Sequence, residues 1–577
     1  MSSPLQLSLT GKRWLVTAPD PEAAGRLSAE LGVSASTAEV LIQRGYASPE
    51  DASKFLNPSL DDLGDAFLLP DFDAARDEIL GAKERGELIY VHGDYDVDGV
   101  TSAAIFDRYL KKIGCNVHTH VPHRINEGYG INLSAVDAAH ERGAKLFLTC
   151  DCGITAHAQV LKARELGMRV VVTDHHELKE TLPEAQAVVN PHRKDSRYPF
   201  SHLSGAGVVY RLCEGLTRSL DEKGVDSYRK NFVDLAALGT IADVMPLSSD
   251  NRIIARFGLE KLTDTKKKGL VALKEVSDIR GKVMSYDVGF KLGPRLNAAG
   301  RIDDAALSLR LLLTEDATEA RDVALELDKH NLDRRAMQDL MFEEAFAQAE
   351  AQGGKDQHMI MVFNPEWHPG IVGLLAGKLK EHYARPVFAG TIDPETGKGK
   401  ASGRSIPGLS LAELISAHPA LVQGGGHAMA AGIGFPEAHL EEIRAAFNSY
   451  AIATLSPEDL FPSLEIAAFV DPAKVDRSSI DEFSALEPFG MMNPKPIFGA
   501  QNLEVLYIKS MGQERQHIAL TLKHSGGTVR CVGWGMFAAM SELRSGDRVD
   551  VAFEPQLNTY QGQESLQWKL ADVRRAV

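Results

Sequence analysis

The sequence predicts an α/β protein in which a parallel β-sheet covered by helices is joined by one long helix to a smaller α/β unit. A small β-barrel follows. Three observations predict this order. Short apolar runs alternate with helical periodicity from about residue 87, residues 315–352 contain neither Gly nor Pro, and residues 463–577 contain short alternating strands separated by turn signals.

Composition narrows the possible classes of protein. The chain has 577 residues, of which 44% are apolar, so large cores are expected and global disorder is not. No apolar run approaches the roughly 18 residues of a membrane span, and the first residues lack a signal peptide's apolar stretch. The five cysteines are few and odd in number, which predicts reduced thiols in a cytoplasmic protein. A net charge of −16 does not exclude a nuclease, because a local basic channel can coexist with an acidic exterior.

The first half of the chain contains a leader and the larger α/β domain. Residues 1–60 form the leader, with helices expected near 35–45 and 49–56, and residues 61–314 form the domain. Its strands are expected at the apolar runs 88–91, 117–121, 145–149, 169–173 and 187–189.

The second half begins with the long helix at residues 315–352, which Gly353 and Gly354 end. The smaller α/β domain occupies residues 353–455, and a Pro-containing linker separates it from the last region at 463–577. Five strands expected there, at 503–508, 517–522, 528–534, 548–553 and 565–571, predict a barrel of the oligonucleotide-binding type.

The ends of the expected strands carry carboxylates and imidazoles. Seven such side chains are spread over four segments: Asp94, Asp96, Asp98, Asp151, His175, His176 and Asp243. In an open α/β sheet, polar residues at the carboxyl ends of strands meet at one edge. Buried carboxylates would repel one another there, and divalent cations relieve that repulsion. Mixed carboxylate and imidazole ligands suit Mn²⁺, with Mg²⁺ or Zn²⁺ as alternatives, and a two-cation site is typical of phosphoester hydrolysis.

The same residues are open to other interpretations. Asp94 to Gly99 matches the start of an EF-hand loop, but the twelfth position is Ile105 instead of Glu. A solvated Asp-rich turn would account for that segment alone but not for the other three. His92 is either a further ligand or a histidine packed at a strand end. Cys150 and Cys152 flank Asp151 and are expected to pack in the core, on the face opposite to it.

With these residues in view, the chain resembles the DHH phosphoesterase superfamily, whose name comes from Asp174-His175-His176. Within it, the chain most resembles the RecJ family of bacterial single-stranded-DNA-specific 5′→3′ exonucleases. The shared motifs are Gly93 to Gly99, Asp151-Cys152-Gly153, Val172 to His176 and Leu238 to Val244. Gly293 to Arg301 and Trp367 to Gly373 are more specific to the exonucleases, and Gly424 to His427 resembles the signature of the DHHA1 domain.

The resemblance assigns roles to the metal-site residues by position. It implies that Asp96, Asp98, Asp151, His175 and Asp243 bind Mn²⁺ or Mg²⁺ in a two-metal site. Asp94 is counted with these ligands, although it, like His176, could instead act through surrounding hydrogen bonds or on the scissile phosphate. Asp98, Asp151, His175 and His176 are the candidate catalytic residues.

The resemblance also implies a phosphate-binding set: Arg124, Arg301, Ser402, Arg404, Gly425, Gly426 and His427. Guanidinium groups and hydroxyls fit phosphate oxygens, and glycines let the backbone approach a nucleotide. A surface salt bridge or an ordinary turn is the alternative for each of these residues alone. In the barrel, Tyr507, Trp534, Phe537, Tyr560 and Trp568 are candidates for stacking on bases, with core packing as the alternative.

The function implied is exonucleolytic removal of mononucleotides from the 5′ end of single-stranded DNA, in repair and recombination. Single-strand-binding protein and a RecQ-type helicase are the implied partners, and no membrane association is expected. Two alternatives stay open: a phosphodiesterase acting on oligoribonucleotides or cyclic dinucleotides, and a non-catalytic replication scaffold.

Overall fold

The computed structural model describes residues 6–123, 130–302, 304–560 and 563–576. The chain forms two compact units. One comprises residues 53–334 with 486–495, and the other comprises residues 1–52, 335–485 and 496–577. Among the described residues, no helix combines the length and the apolar character that crossing a membrane requires.

The strands, in chain order, are β1 Arg13–Val16, β2 Leu88–His92, β3 Asn116–His120, β4 Leu146–Thr149, β5 Arg169–Thr173, β6 Ala187–Val189, β7 Ile360–Phe363, β8 Val387–Asp393, β9 Lys398–Arg404, β10 Gln423–Gly426, β11 Ala430–Pro436, β12 Ser463–Ile466, β13 Ala468–Phe469, β14 Phe498–Met511, β15 His517–His524, β16 Gly527–Gly533, β17 Arg548–Tyr560 and β18 Gln563–Arg575.

The helices are α1 Pro21–Leu31, α2 Ala35–Gln43, α3 Pro49–Leu56, α4 Phe72–Glu84, α5 Val97–Lys112, α6 Leu133–Glu141, α7 His157–Glu165, α8 Gly205–Leu220, α9 Val225–Ala242, α10 Ser249–Thr263, α11 Lys268–Val276, α12 Ser285–Asp287, α13 Gly293–Ile302, α14 Ala306–Leu313, α15 Ala317–Ala351, α16 Val372–Tyr383, α17 Leu411–Ser416, α18 Leu440–Thr454 and α19 Arg477–Ala485. A π-helical turn, Val288–Leu292, lies between α12 and α13.

The larger unit contains a five-stranded sheet in the order β3-β2-β4-β5-β6, with all its strand pairs parallel. Alternate residues of each strand enter different cores. Val91 and Leu148 pack in a core that includes α5 and α8. Tyr90 and Phe147 pack in a second core that includes α6 and α7. The strands are apolar on both faces for this reason, and the parallel sheet predicted from their continuous apolar runs is confirmed.

The predicted long helix is α15, an unbroken helix of 35 residues. At 1.5 Å per residue it is about 52 Å long. It ends before Gly353 and Gly354, which adopt positive φ angles of 107° and 52° that favour glycine. Its first part belongs to the larger unit and its last part to the other unit.

The second α/β sheet has the order β10-β11-β9-β8-β7. Only β7 and β8 pair in parallel, and the remaining pairs are antiparallel. One face packs on the end of α15 and on α16, through residues such as Ala345 and Leu375. The other face packs on α18 through Phe447.

The C-terminal strands form a closed barrel, because β14 pairs with both β15 and β17. All five strands predicted there are present. Three of them, β14, β17 and β18, extend beyond the alternating segments that predicted them. Strand β1 pairs in parallel with β12, so residues near the start of the chain belong to the unit that contains the barrel.

Candidate metal centre and phosphate-binding residues

The structure brings all seven predicted metal-site side chains to one edge of the parallel sheet, with His176 beside His175. Asp94, Asp96 and Asp98 follow β2, Asp151 follows β4, and His175 follows β5. These three strands are neighbours in the sheet, so their carboxyl ends deliver the side chains to one place. Asp243 is added from the end of α9.

Hydrogen bonds fix the loop that follows β2. Asp96 caps α5 by accepting a bond from the amide of Gly99 at 3.0 Å. The amide of Val97 donates to Oδ1 of Asn297 at 3.1 Å, which gives the Gly293 to Arg301 motif a role in holding this loop. Asp98 is turned to the N-terminus of α8, where the amides of Gly205 and Ala206 donate to its two oxygens at 2.6 and 2.9 Å. Its charge is therefore favoured by the positive end of that helix.

The position of Asp151 depends on backbone that is unusual for a side-chain-bearing residue. Its φ is +60°, a left-handed conformation that Asp tolerates better than most residues do. Two glycines leave room for the neighbouring carboxylates. A Cβ on Gly205 would lie 2.6 Å from Oδ1 of Asp151, and a Cβ on Gly239 would lie 2.4 Å from Oδ1 of Asp98. The sequence motif around Gly239 is thus explained by close packing against Asp98.

The ligand atoms converge on Nε2 of His175. This atom lies 3.0 Å from Oδ1 of Asp151, 3.6 Å from Oδ2 of Asp243 and 3.7 Å from Oδ2 of Asp98. The short contact to Asp151 lacks hydrogen-bond geometry, so Oδ1 of Asp151 is a buried oxygen without a hydrogen-bond donor among the described residues. Overlapping groups of three side chains have mutually close ligand atoms: Asp151, His175 and His176; Asp98, His175 and Asp243; and Asp94, Asp96 and Asp151.

The electrostatics of this cluster call for positive charge. Burial, and then the charge of Asp96, raise the pKa of both Asp94 and Asp98 to about 7. Burial and the charge of Asp98 raise the pKa of Asp243 to about 9, and the pKa of Asp151 is also well above its usual value. Burial lowers the pKa of His175 to about 3, which leaves its imidazole neutral and able to act as a ligand. Neutral imidazole and mutually repelling carboxylates therefore fit a pair of Mn²⁺ or Mg²⁺ ions.

Asp174 is a residue whose role the sequence did not indicate. Its Oδ1 accepts bonds from the amides of His175 and His176 at 2.7 and 3.1 Å and lies 2.7 Å from Nδ1 of His176. Its Oδ2 accepts from the amide of Ile154 at 2.8 Å. Burial opposes a charged imidazole, but the bond and charge of Asp174 outweigh it and raise the pKa of His176 to about 9. His176 is thus held as a cation at the edge of the cluster, with 41% of its side chain exposed.

His92 and the two cysteines lie beside the cluster. Nε2 of His92 lies 3.3 Å from the carbonyl oxygen of Gly130, and the ring stacks on Phe147 at 5.8 Å. The ring therefore packs at the end of β2, and metal binding by His92 stays a prediction. Cys150 and Cys152 are buried as expected, but they do not share one face. They enter the two different cores of the sheet, because β4 ends at Thr149 and the left-handed Asp151 turns the chain between them.

The predicted phosphate-binding residues of the smaller sheet lie on two of its strands. Ser402 and Arg404 are on the same side of β9, since they are two residues apart. A Cβ on Gly373 would lie 3.4 Å from Nη2 of Arg404 and 3.6 Å from Oγ of Ser402, so the first turn of α16 adjoins both side chains. Arg404 donates to the carbonyl of Gly403 at 2.8 Å, and burial lowers its pKa. No carboxylate pairs with it among the described residues, which leaves the guanidinium free for an anion.

The glycine-rich strand β10 is separated from β9 by β11, where Gly432 and Ala431 face Gly425 and Gly426. Gly425 is exposed, with no atom within 4 Å of where its Cβ would be, and Gly426 has a φ of +147° that favours glycine. His427 is exposed, and its amide donates to the carbonyl of Ala430 at 2.8 Å. Arg124 lies outside the described residues. Arg301 lies in α13, and its side chain is outside the described part of the chain.

The barrel separates its aromatic residues into two groups. Trp568 is buried and stacks on Phe553 with ring centres 3.7 Å apart, so the alternative of core packing applies to it. Tyr507 and Trp534 are 61% and 56% exposed, which leaves their rings available for stacking on bases. Phe537 is half-buried, and the side chain of Tyr560 is outside the described residues.

Three family models match the chain in the order in which its domains occur. Residues 88–240 match the DHH family N-terminal domain, residues 356–453 the DHHA1 domain, and residues 466–572 the RecJ OB domain. The fold and these domains define a phosphoesterase of the DHH class.

Individual relatives narrow the class. The single-stranded-DNA-specific exonuclease RecJ of Bacillus subtilis is 36% identical over 97% of this chain and 72% of its own length. The RecJ of Escherichia coli is 35% identical over 85% of this chain and 88% of its own. The chain belongs to the RecJ family of single-stranded-DNA-specific exonucleases. The structure of Thermus thermophilus RecJ in complex with Mn²⁺ superposes with a TM-score of 0.84 at 31% identity, covering 98% of this chain and 80% of that one. A second structure of that protein contains Mg²⁺.

Proposed function

We propose that this protein is an exonuclease that degrades single-stranded DNA from its 5′ end to mononucleotides, in DNA repair and recombination. One observation carries the proposal: carboxylates and an imidazole from four separate segments converge at one sheet edge in a chain of the RecJ family. A scaffold that had lost catalysis would have no reason to retain this buried, mutually repelling set.

Mn²⁺ or Mg²⁺ would be held by Asp94, Asp96, Asp98, Asp151, His175 and Asp243. When bound, such cations supply activation of water and stabilisation of the charge that develops on phosphoryl oxygens. The side chains of the protein hold this site in place: the amides at the start of α8 orient Asp98, and burial keeps the imidazole of His175 neutral.

His176 has a different task in this proposal. Its cationic ring lies at the exposed edge of the cluster, fixed by Asp174. From there it donates a hydrogen bond to a non-bridging oxygen of the scissile phosphate and stabilises the charge of the transition state. A neutral Asp174→Asn variant would retain the ring position but weaken that charge.

In the unit that contains β9 and β10, Ser402, Arg404, Gly425, Gly426 and His427 would hold the 5′-terminal phosphate. In the larger unit, Arg124 and Arg301 would contact phosphate groups of the strand. The unpaired guanidinium of Arg404 beside the hydroxyl of Ser402 supports this assignment. Tyr507 and Trp534 of the barrel would stack on bases of the remaining strand.

Single-strand-binding protein and a RecQ-type helicase are the partners that we propose, together with a cytoplasmic location. The five cysteines, all buried and unpaired among the described residues, support a reducing compartment.

Digestion of two single strands, one labelled at each end, tests the proposal with Mn²⁺ present. We expect wild-type protein to release labelled mononucleotides first from the 5′-labelled strand, and Asp98→Ala to release none. Lys194→Ala, an exposed substitution elsewhere in the same unit, is the matched control and should retain the wild-type rate. Intact strands with wild-type protein, or equal activity of Asp98→Ala, would overturn the proposal.

A further inference from the structure

A cluster of basic residues lies on the larger unit, away from the metal centre. A cavity of about 390 Å³ is lined by five cationic side chains: Arg108, Lys112, Lys261, Lys266 and Lys267. A second cavity of about 490 Å³ shares Lys266 and is also lined by Lys268, Lys274 and Arg321, together with the carboxylates of Asp264 and Glu275. Such a concentration is unexpected in a chain with a net charge of −16.

Positions along helix α5 give the distance between the basic cavity and the metal centre. Asp98 is in its first turn, whereas Arg108 and Lys112 lie at its other end. At 1.5 Å per residue, these two residues are about 15 and 21 Å from Asp98 along the helix axis. The basic cavity is therefore a different site from the one that holds the predicted metals.

Carboxylates neutralise only part of this charge. Arg108 pairs with Glu315 at 2.5 Å, and Lys267 pairs with the buried Asp234 at 2.8 Å. Lys112, Lys261 and Lys266 have no carboxylate partner among the described residues. Cations are favoured in the last turns of α5 and α10, which explains one lysine in each helix. That effect does not explain Lys266, which lies between helices.

Two hydrogen bonds fix the guanidinium of Arg108, which lines the first cavity. Its Nε donates to the carbonyl of Leu312 at 2.9 Å and its Nη1 to Glu315, so the guanidinium plane is fixed. Its Nη2 is buried and has no acceptor among the described residues. A fixed guanidinium with several lysines around it is the usual construction of a site for phosphate groups.

We infer that this basic cavity binds closely spaced phosphate groups, as found in a nucleotide or in a DNA strand. The first cavity alone has the volume of a small-ligand site, and the second extends it for a longer anion. The inference goes beyond the proposed exonuclease function and does not require that the metal centre be catalytic.

Isothermal titration with inorganic tripolyphosphate tests the site without reading out catalysis. We would use metal-free protein carrying Arg404→Ala, which removes the main phosphate ligand proposed for the other unit. Adding Lys261→Ala and Lys266→Ala should weaken binding at least about tenfold. Adding Lys194→Ala and Lys223→Ala instead, two exposed lysines of the same unit, should leave binding unchanged. No binding to the Arg404→Ala protein, or equal binding by the two triple variants, would overturn the inference.

A second arm distinguishes the two sources of phosphate. The affinity for a 5′-blocked single strand of about 30 nucleotides would be measured against salt concentration. If the cavity contacts the strand, removing two lysines should reduce the slope of log K against log salt by roughly 1.4. If the cavity takes free nucleotides, the slope should not change while tripolyphosphate binding is lost. A wild-type melting temperature for the double lysine variant would show that it is folded.

Discussion

Gly239→Ala is the substitution for which the structure makes the sharpest prediction. Gly239 lies inside α9, where replacing Gly by Ala ordinarily stabilises a helix by about 1 kcal/mol. Here the added Cβ would lie 2.4 Å from Oδ1 of Asp98, 2.5 Å from Oγ1 of Thr101 and 2.7 Å from Cβ of Ala206. Ordinary contacts are near 3.5 Å, so Asp98 would have to move by about 1 Å.

Asp98 cannot move without losing its partners. Both of its oxygens accept amide hydrogen bonds at the start of α8, and the whole residue is buried. Overpacking of this kind lowers the free energy of unfolding by about 1–3 kcal/mol. A displacement of 1 Å at a catalytic group lowers the rate by about 100-fold. We therefore expect Gly239→Ala to lose both stability and Mn²⁺-dependent nuclease activity.

The assay combines thermal unfolding, Mn²⁺ titration and the rate of mononucleotide release. Gly377→Ala is the control, because Gly377 also lies inside a helix but has no atom within 4 Å of its Cβ position. It should be as stable as wild type or slightly more so, with unchanged activity. If Gly239→Ala behaved in the same way, the packing of Gly239 against Asp98 would not be what positions that carboxylate.

Three further predictions concern the metal centre, the thiols and the barrel. Mn²⁺ at about 100 times its Kd should stabilise wild-type protein by about 2.7 kcal/mol, and Asp151→Asn, which tolerates the same backbone, should abolish that rise in Tm; an undiminished rise would exclude Asp151 as a ligand. Burial raises the pKa of every cysteine, to about 11 for Cys115, so native protein should resist thiol reagents at pH 8. The thiols of the unfolded chain lose their protons at lower pH than the buried thiols, so the free energy of unfolding should fall as pH rises through 9 towards 11. Rapid labelling of folded protein would contradict this prediction. Trp568→Ala should lower the free energy of unfolding, measured by denaturation, by about 3–5 kcal/mol, whereas Trp534→Ala should leave it nearly unchanged. Trp534→Ala should instead weaken single-strand binding, measured by fluorescence anisotropy, by about 1–3 kcal/mol. The reverse pattern would refute the assignment of Trp568 to the core and of Trp534 to the exposed surface.

The sequence predicted those features that depend on periodicity and on the ends of strands. Continuous apolar runs predicted the parallel sheet, and the carboxylates at their ends then had to meet at one edge. The absence of Gly and Pro predicted α15 as one helix. These features are local, or follow from a general rule of sheet topology.

Features that depend on long-range contacts could not be read from the sequence. The position of Asp174 depends on a hydrogen bond from the amide of Ile154, which lies in the loop after the neighbouring strand β4. The separation of Cys150 from Cys152 depends on the positive φ of Asp151, whereas an extended strand was expected there. The burial of Trp568 and the exposure of Trp534 depend on how the barrel closes, because both residues lie in similar alternating sequence.

The pairing of β1 with β12 has a consequence for folding during synthesis on the ribosome. Arg13–Val16 is made early, but its partner strand Ser463–Ile466 follows only after roughly 450 further residues, which take roughly 20–90 s to synthesise. During that time the larger unit, apart from residues 486–495, can already fold. Until its partner strand is made, β1 has an unpaired edge that other nascent chains could pair with. Chaperones and the charged residues around β1 would then have to prevent aggregation.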